Sequence, residues 1–238
     1  MTEEPYRWLE AISNRREYIR DQLKGGTPVF AVSRPEGILL LGLGQGQSKV
    51  FEIYDRHGLA AVGHPVDIEK LRQAAIEAAH LEGFNRSAND VTLRRLISFV
   101  LSNTLKTAFE QIFSPPIIVE SIFAELGDDR DQDVLVRMNF DGRHHYATNG
   151  LSIAHVEPKR EAEATEWLQR QLQPQDSLKR VAQLAVCAWK TLVDEKSFAD
   201  LAVPPLGPIE VVTGRQLEVA LLDRHKAPPV QYRTLQLT

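Results

Sequence analysis

The chain predicts an α+β fold, a four-layer αββα sandwich of two antiparallel sheets between helix pairs. Three observations carry this. Strand-like stretches come in blocks and helical stretches in pairs, an order that suits antiparallel sheets better than alternating βαβ units. Short turns rich in Pro, Gly and Asp join the strands. The 238 residues are 43% hydrophobic and 25% charged, enough for one full core. No Pro/Gly/Ser-rich linker divides them, so a single domain over 1–238 is expected.

The stretch from Pro5 to Lys24 reads as a helix. Trp8, Ile12, Ile19 and Leu23 share one face, Pro5 suits the first turn, and Gly25-Gly26 ends it. The apolar stripe is sparse, which predicts contact with a neighbour as well as with the body. Strands follow at Val29–Ser33 and Gly37–Leu43 around the turn Arg34-Pro-Glu-Gly37. Two more, Lys49–Tyr54 and Leu59–Val62, flank Asp55-Arg-His-Gly58, so the first half opens as an antiparallel meander.

Val66–Leu81 is a helix whose alanines allow close packing. Thr92–Phe113 carries a strong 3.6-residue stripe, with Asp90 as the expected N-cap and Pro115-Pro116 as the stop. Strands return at Ile117–Leu126, Val134–Phe140 and His145–Thr148, with Asp141-Gly142 as a hairpin signal. Helices at Glu161–Leu172 and Ser177–Val193 come next. A proline-rich loop then leads to strands near Ile209–Val212 and Leu217–Leu222, and residues 226–238 read as a polar C-terminal tail.

Several function classes are excluded. The net charge is −4, with both signs mixed along the chain, so neither a nucleic-acid face nor a membrane-surface anchor is expected. The longest apolar runs, such as Ile38–Leu41, are far too short to span a bilayer. The N-terminus lacks a secretory pattern, and the single Cys187 permits no internal disulfide. A cytoplasmic protein is expected, with Cys187 a small core residue.

No cofactor or metal motif survives inspection. Gly42-Leu-Gly-Gln-Gly46 has its third glycine misplaced for dinucleotide binding and precedes a strand, so it reads as a hairpin tip. Asp129, Asp131 and Asp133 alternate like a calcium loop but lack its glycine and distal Glu. The adjacent pair His144-His145 would point to opposite faces of a strand. One constellation remains: Gly26-Thr27 stands at the start of the first strand, where a hydrolase with an N-terminal threonine would carry its nucleophile.

The segment from Ser48 to Gly63 resembles the strand–turn–strand of proteasome α-type subunits, especially those of actinobacteria. Glu82-Gly-Phe, Asp90-Val and Gln216–Asp223 match the same family in order. The likeness spans nearly the whole chain, and it implies the αββα fold of the N-terminal nucleophile hydrolases. The family includes catalytic β-type and non-catalytic α-type chains. Aligned on Pro35-Glu-Gly37, Thr27 falls at the β-type nucleophile position, but the acidic partner's position holds Leu43. Pro28 follows Thr27 and lacks an amide proton, and the sequence runs on uncut from Met1. An α-type chain without catalytic residues is therefore expected. The alternative is an active threonine peptidase with Thr27 freed by cleavage at Gly26.

The resemblance implies more. Copies of the chain would form a seven-membered ring capping β-type catalytic subunits and admitting unfolded protein substrates. Residues 1–5, with Thr2, Glu3, Glu4 and Pro5, would form the pore-proximal gate, ahead of an N-terminal helix over 6–24. Lys49 matches the lysine that receives the C-terminal carboxylate of a ring-shaped ATPase activator, and Gly26 matches a backbone position of the same pocket. A charge-assisted hydrogen bond there is worth roughly 1.5–3 kcal/mol.

Overall fold

In the computed structural model, which describes residues 4–199, 201–209, 211, 214–228 and 231–237, the first two strands are buried along their whole length. These are β1 (Val29–Arg34) and β2 (Gly37–Gly44). Their unbroken apolar runs reflect a sheet covered on both faces. Val29, Ala31, Ile38 and Leu40 face a second sheet, while Phe30, Val32, Leu39 and Leu41 lie under helices.

The first sheet has the order β10-β9-β2-β1-β8, where β8 is Leu151–Ala154, β9 Gln216–Asp223 and β10 Tyr232–Thr234. The second has the order β3-β4-β5-β6-β7, from Val50–Tyr54, His57–Gly63, Val119–Glu125, Val134–Met138 and His144–Tyr146. All pairings are antiparallel. Helices α5 (Pro158–Gln171) and α6 (Leu178–Val193) cover the first sheet through Trp167, Leu184 and Trp189. Helices α2 (Pro65–Asn85), α3 (Leu93–Leu96) and α4 (Ser102–Glu110) cover the second through Leu71, Leu96 and Leu105. The four-layer αββα order expected from the sequence is therefore the one found. Helix α1 (Glu4–Leu23) packs at one end of the sandwich, with Ile19 and Leu23 against Phe109 and Phe140.

Several local expectations change. The first four strands are not one meander, because β1–β2 and β3–β4 are hairpins in different sheets. The Gly42–Gly46 stretch is accordingly no hairpin tip: it ends β2 and begins the crossing to the second sheet. Asp90 does not cap the following helix. It sits in a 3-10 turn, where it accepts from the Ser87 hydroxyl at 2.8 Å. The Leu93 amide donates instead to Glu125 of β5 at 2.7 Å, a carboxylate brought in by tertiary packing. The long helix expected over 92–113 passes through a π-helical turn at Ile97–Leu101 and stops at Glu110.

Strand β8, Leu151–Ala154, was not expected from the sequence. No described residue between 209 and 212 is in a strand; Glu210 and Val212 lie outside the described residues. The tail is not merely polar. Its β10 pairs with β9, the Leu235 amide donates to the Val219 carbonyl at 2.8 Å, and Leu235 and Leu237 pack on the core beneath α6. Asp129 caps the 3-10 turn Arg130–Gln132, and Asp133 pairs with Arg224 at 2.9 Å, so this loop's carboxylates serve its own structure. Cys187 is half-buried, and burial pushes its thiol up from the ordinary range.

Candidate functional site

Five chain segments meet at one end of the sandwich and enclose a cavity of about 530 Å³. Gly25-Gly26 ends α1, Lys49 precedes β3, Pro65 opens α2, and Arg215 precedes β9. The end of β2, at Gln45, completes the rim. The fold brings them together because α1 stops at the double glycine and β2 must leave its sheet to reach the other.

Gly26 is required by the body of the protein. A Cβ there would lie 2.5 Å from a Val62 methyl and 3.0 Å from the Leu23 carbonyl oxygen. Its amide donates back to that carbonyl at 2.8 Å, closing the helix end. Gly63, on the same rim, has φ +148, and a Cβ there would strike the Ile118 carbonyl oxygen at 2.1 Å.

Lys49 is anchored at both ends. Its amide donates to Glu218 Oε2 at 2.8 Å, and the Val50 amide reaches the same oxygen at 3.3 Å. Its ammonium donates to the Thr27 carbonyl at 3.3 Å, and no carboxylate forms an ion pair with it among the described residues. Burial lowers its pKa to about 8, partly offset by Glu218 and reinforced by the positive charge of Arg215. A buried ammonium held by one carbonyl is poised to gain a second, charged acceptor.

Thr27 is buried, and its hydroxyl donates to the Leu43 carbonyl at 2.7 Å. The threonine proton is therefore committed to the backbone at the position where a catalytic chain would hold its acid, and Lys49 addresses the Thr27 carbonyl rather than the hydroxyl. Leu43 itself is buried under the helices of the first sheet.

Of the residues expected at the gate, Thr2 and Glu3 lie outside the described residues. Glu4 and Pro5 open α1 instead of preceding it. In the next turn of α1, Leu9 is exposed and Trp8 is partly so, lining a cavity with Ser102 and Lys106 of α4.

The sequence brought Lys49 and Gly26 forward but passed over Arg215 and Glu218. Glu218 lies within the stretch Gln216–Asp223 singled out for its likeness, but nothing local marks it as the partner of Lys49. A strand-face reading of β9 against β2, where Glu218 stands opposite Gly42, would have pointed to it.

No protein-family model matches the chain. Among curated proteins, a proteasome subunit alpha of Renibacterium salmoninarum is 31% identical over 223 residues, covering 90% of this chain and 82% of that protein. One from Nocardioides sp. is 30% identical over 233 residues, covering 95% and 83%. A third, from Jonesia denitrificans, is 37% identical over 135 residues, 56% of each.

Proposed function

Because the chain belongs to the family of proteasome α subunits, we propose that it forms the outer, seven-membered ring of a core particle and docks a ring-shaped ATPase activator there. Subunits of the α type are the non-catalytic chains of that particle. In this reading the ring stacks on β-type catalytic subunits, and unfolded proteins pass through its pore for degradation in the cytoplasm. No described helix is long and apolar enough to cross a membrane.

The observation that carries the docking role is the cavity at Lys49. It offers a buried ammonium whose hydrogen-bond partner among the described residues is one carbonyl, beside a helix end and two strand ends that form a fixed frame. That is suitable ground for a peptide's terminal carboxylate, and roughly 1.5–3 kcal/mol per site becomes decisive when several copies engage one activator. The gate assignment to residues 1–5 draws on α1, where Trp8 and Leu9 near its start remain exposed.

The test is Lys49→Ala in the co-expressed particle. Ring assembly by native mass spectrometry is expected to be unchanged, and stimulation of peptide hydrolysis by the activator is expected to be lost. Full stimulation in this variant would remove the docking assignment. The other reading, a peptidase with Thr27 as nucleophile, has no observation in its favour, since the hydroxyl is tied to Leu43.

A further inference from the structure

Two charged side chains sit on the strand faces that meet between the sheets. Along β5, Glu120 shares its face with Ile122 and Ala124, and along β6, Arg137 shares its face with Leu135; these three apolar neighbours belong to the inter-sheet core. Glu120 is 5% exposed and Arg137 3%. Charges so placed are costly unless they are paired. Arg137 Nη1 donates to Glu120 Oε2 and, at 2.9 Å, to the Met138 carbonyl. Its Nε and Nη2 both reach Glu161 Oε2 at 3.2 Å, and Nη2 also donates to the His155 carbonyl at 3.2 Å. Glu161 belongs to the first turn of α5, and His155 directly follows β8. Arg137 therefore ties the second sheet to the joint where the first sheet passes into its helix layer.

The charges of this cluster do not balance. One guanidinium faces two carboxylates. Asp141, just beyond β6, adds a further negative charge and pairs outward with Arg16 of α1 at 3.4 Å and with Arg143 at 3.6 Å. His145, opposite Arg137 on β7, and His155 both have their pKa values pushed down by burial, so neither carries much positive charge at neutral pH. The two carboxylates are also unequally served. Glu161 Oε2 accepts from Arg137 twice and from the His155 amide at 2.9 Å. Glu120 accepts from Arg137 Nη1 alone among the described residues. A proton on Glu120 removes the surplus charge most easily, and burial, partly offset by Arg137, raises its pKa to about 7.

We propose that Glu120, Arg137 and Glu161 form a proton-linked staple between the sheets, tighter when Glu120 is protonated. With Glu120 neutral, the guanidinium is balanced by Glu161 and holds the start of α5. With Glu120 ionised, the same guanidinium is shared between two carboxylates that repel each other, and the joint of β8 and α5 opens more often. The staple is independent of the docking role proposed for the Lys49 cavity. Folded protein keeps a proton that unfolded protein has released, so stability falls as pH climbs from about 4.5 to about 7 and levels off above that.

Hydrogen exchange on the full-length protein tests this, read as the protection factor of the His155 amide, whose acceptor is Glu161. In the unaltered protein, protection is expected to rise several-fold from about pH 8 to about pH 6.5. Glu120→Gln fixes the neutral state, and it is expected to show the higher protection at both pH values. Protection that ignores pH in the unaltered protein overturns the staple. So does a pH dependence that survives Glu120→Gln, which would come from His145 or His155, and so does low protection in Glu120→Gln at both values. Carboxyl carbon shifts of the isotope-labelled, unaltered protein give a second reading that needs no variant. Glu120 is expected to titrate close to pH 7, and a midpoint in the ordinary carboxylate range overturns the proposal.

Discussion

The Lys49 ammonium donates to the carbonyl oxygen of Thr27 at 3.3 Å, while the Thr27 hydroxyl donates away from it to Leu43. The same two residues that would form a nucleophile and its charged neighbour in a catalytic chain are turned to another arrangement. The lysine's remaining protons face a cavity, and the threonine's proton is spent on the backbone.

Docking is expected to depend on pH through Lys49. Burial, helped by Arg215, brings its pKa to about 8, so the cationic form that a carboxylate needs is lost as pH rises through that value. Affinity for a free C-terminal peptide is expected to fall roughly ten- to a hundredfold between pH 7 and pH 9.5. Isothermal titration across that range checks it, and a flat profile would exclude Lys49 from the contact. For folding the sign is opposite. A depressed lysine pKa disfavours the folded state at low pH, and this cost disappears as pH rises from about 8 to the unperturbed 10.5.

Thr27→Ala is expected to leave peptide hydrolysis by the assembled particle unchanged. It removes a buried side-chain hydrogen bond to the Leu43 carbonyl, so about 1–3 kcal/mol of stability should be lost. Denaturant unfolding measures the second effect. Complete loss of hydrolysis with folding intact would revive the peptidase reading.

Gly26→Ala is expected to destabilise by about 1–3 kcal/mol, because a methyl group at 2.5 Å from Val62 forces the end of α1 away from β4. The companion change Gly26→Ala with Val62→Ala should recover part of the loss, since the nearer obstacle is a side chain and the Leu23 carbonyl remains. Thermal melts of the two variants decide it.

Deleting the residues before Trp8 is expected to raise turnover of short peptides by the particle without activator, several-fold and without change in melting temperature. The residues that fasten α1, Ile19 and Leu23, lie far from the cut. An unchanged basal rate would take the gate away from this segment.

Much of this architecture was legible in the sequence because the apolar stripes are strong. The runs Phe30–Val32 and Ile38–Leu41 and the faces of α2 and α6 announced a core with helices on both outer sides. What escaped notice was set by partners distant in the chain. Asp90 looks like a helix cap locally, yet the amide it would serve is taken by Glu125, which only the pairing of β4 with β5 delivers. The cavity divides in the same way. Gly26 and Lys49 stand near a recognisable turn, whereas Arg215 and Glu218 join them only after β9 pairs with β2.

Strand β10 gives the last residues a protective task. Without it, the eight-residue β9 would present its free amides and carbonyls to any passing extended chain, the usual first step of unwanted strand pairing. With β10 in place, the sheet ends instead on a three-residue strand that offers little to copy. A newly made subunit awaiting its neighbours therefore carries its own blunted border. Trimming the chain after Lys226 would cost it solubility before it cost it the fold.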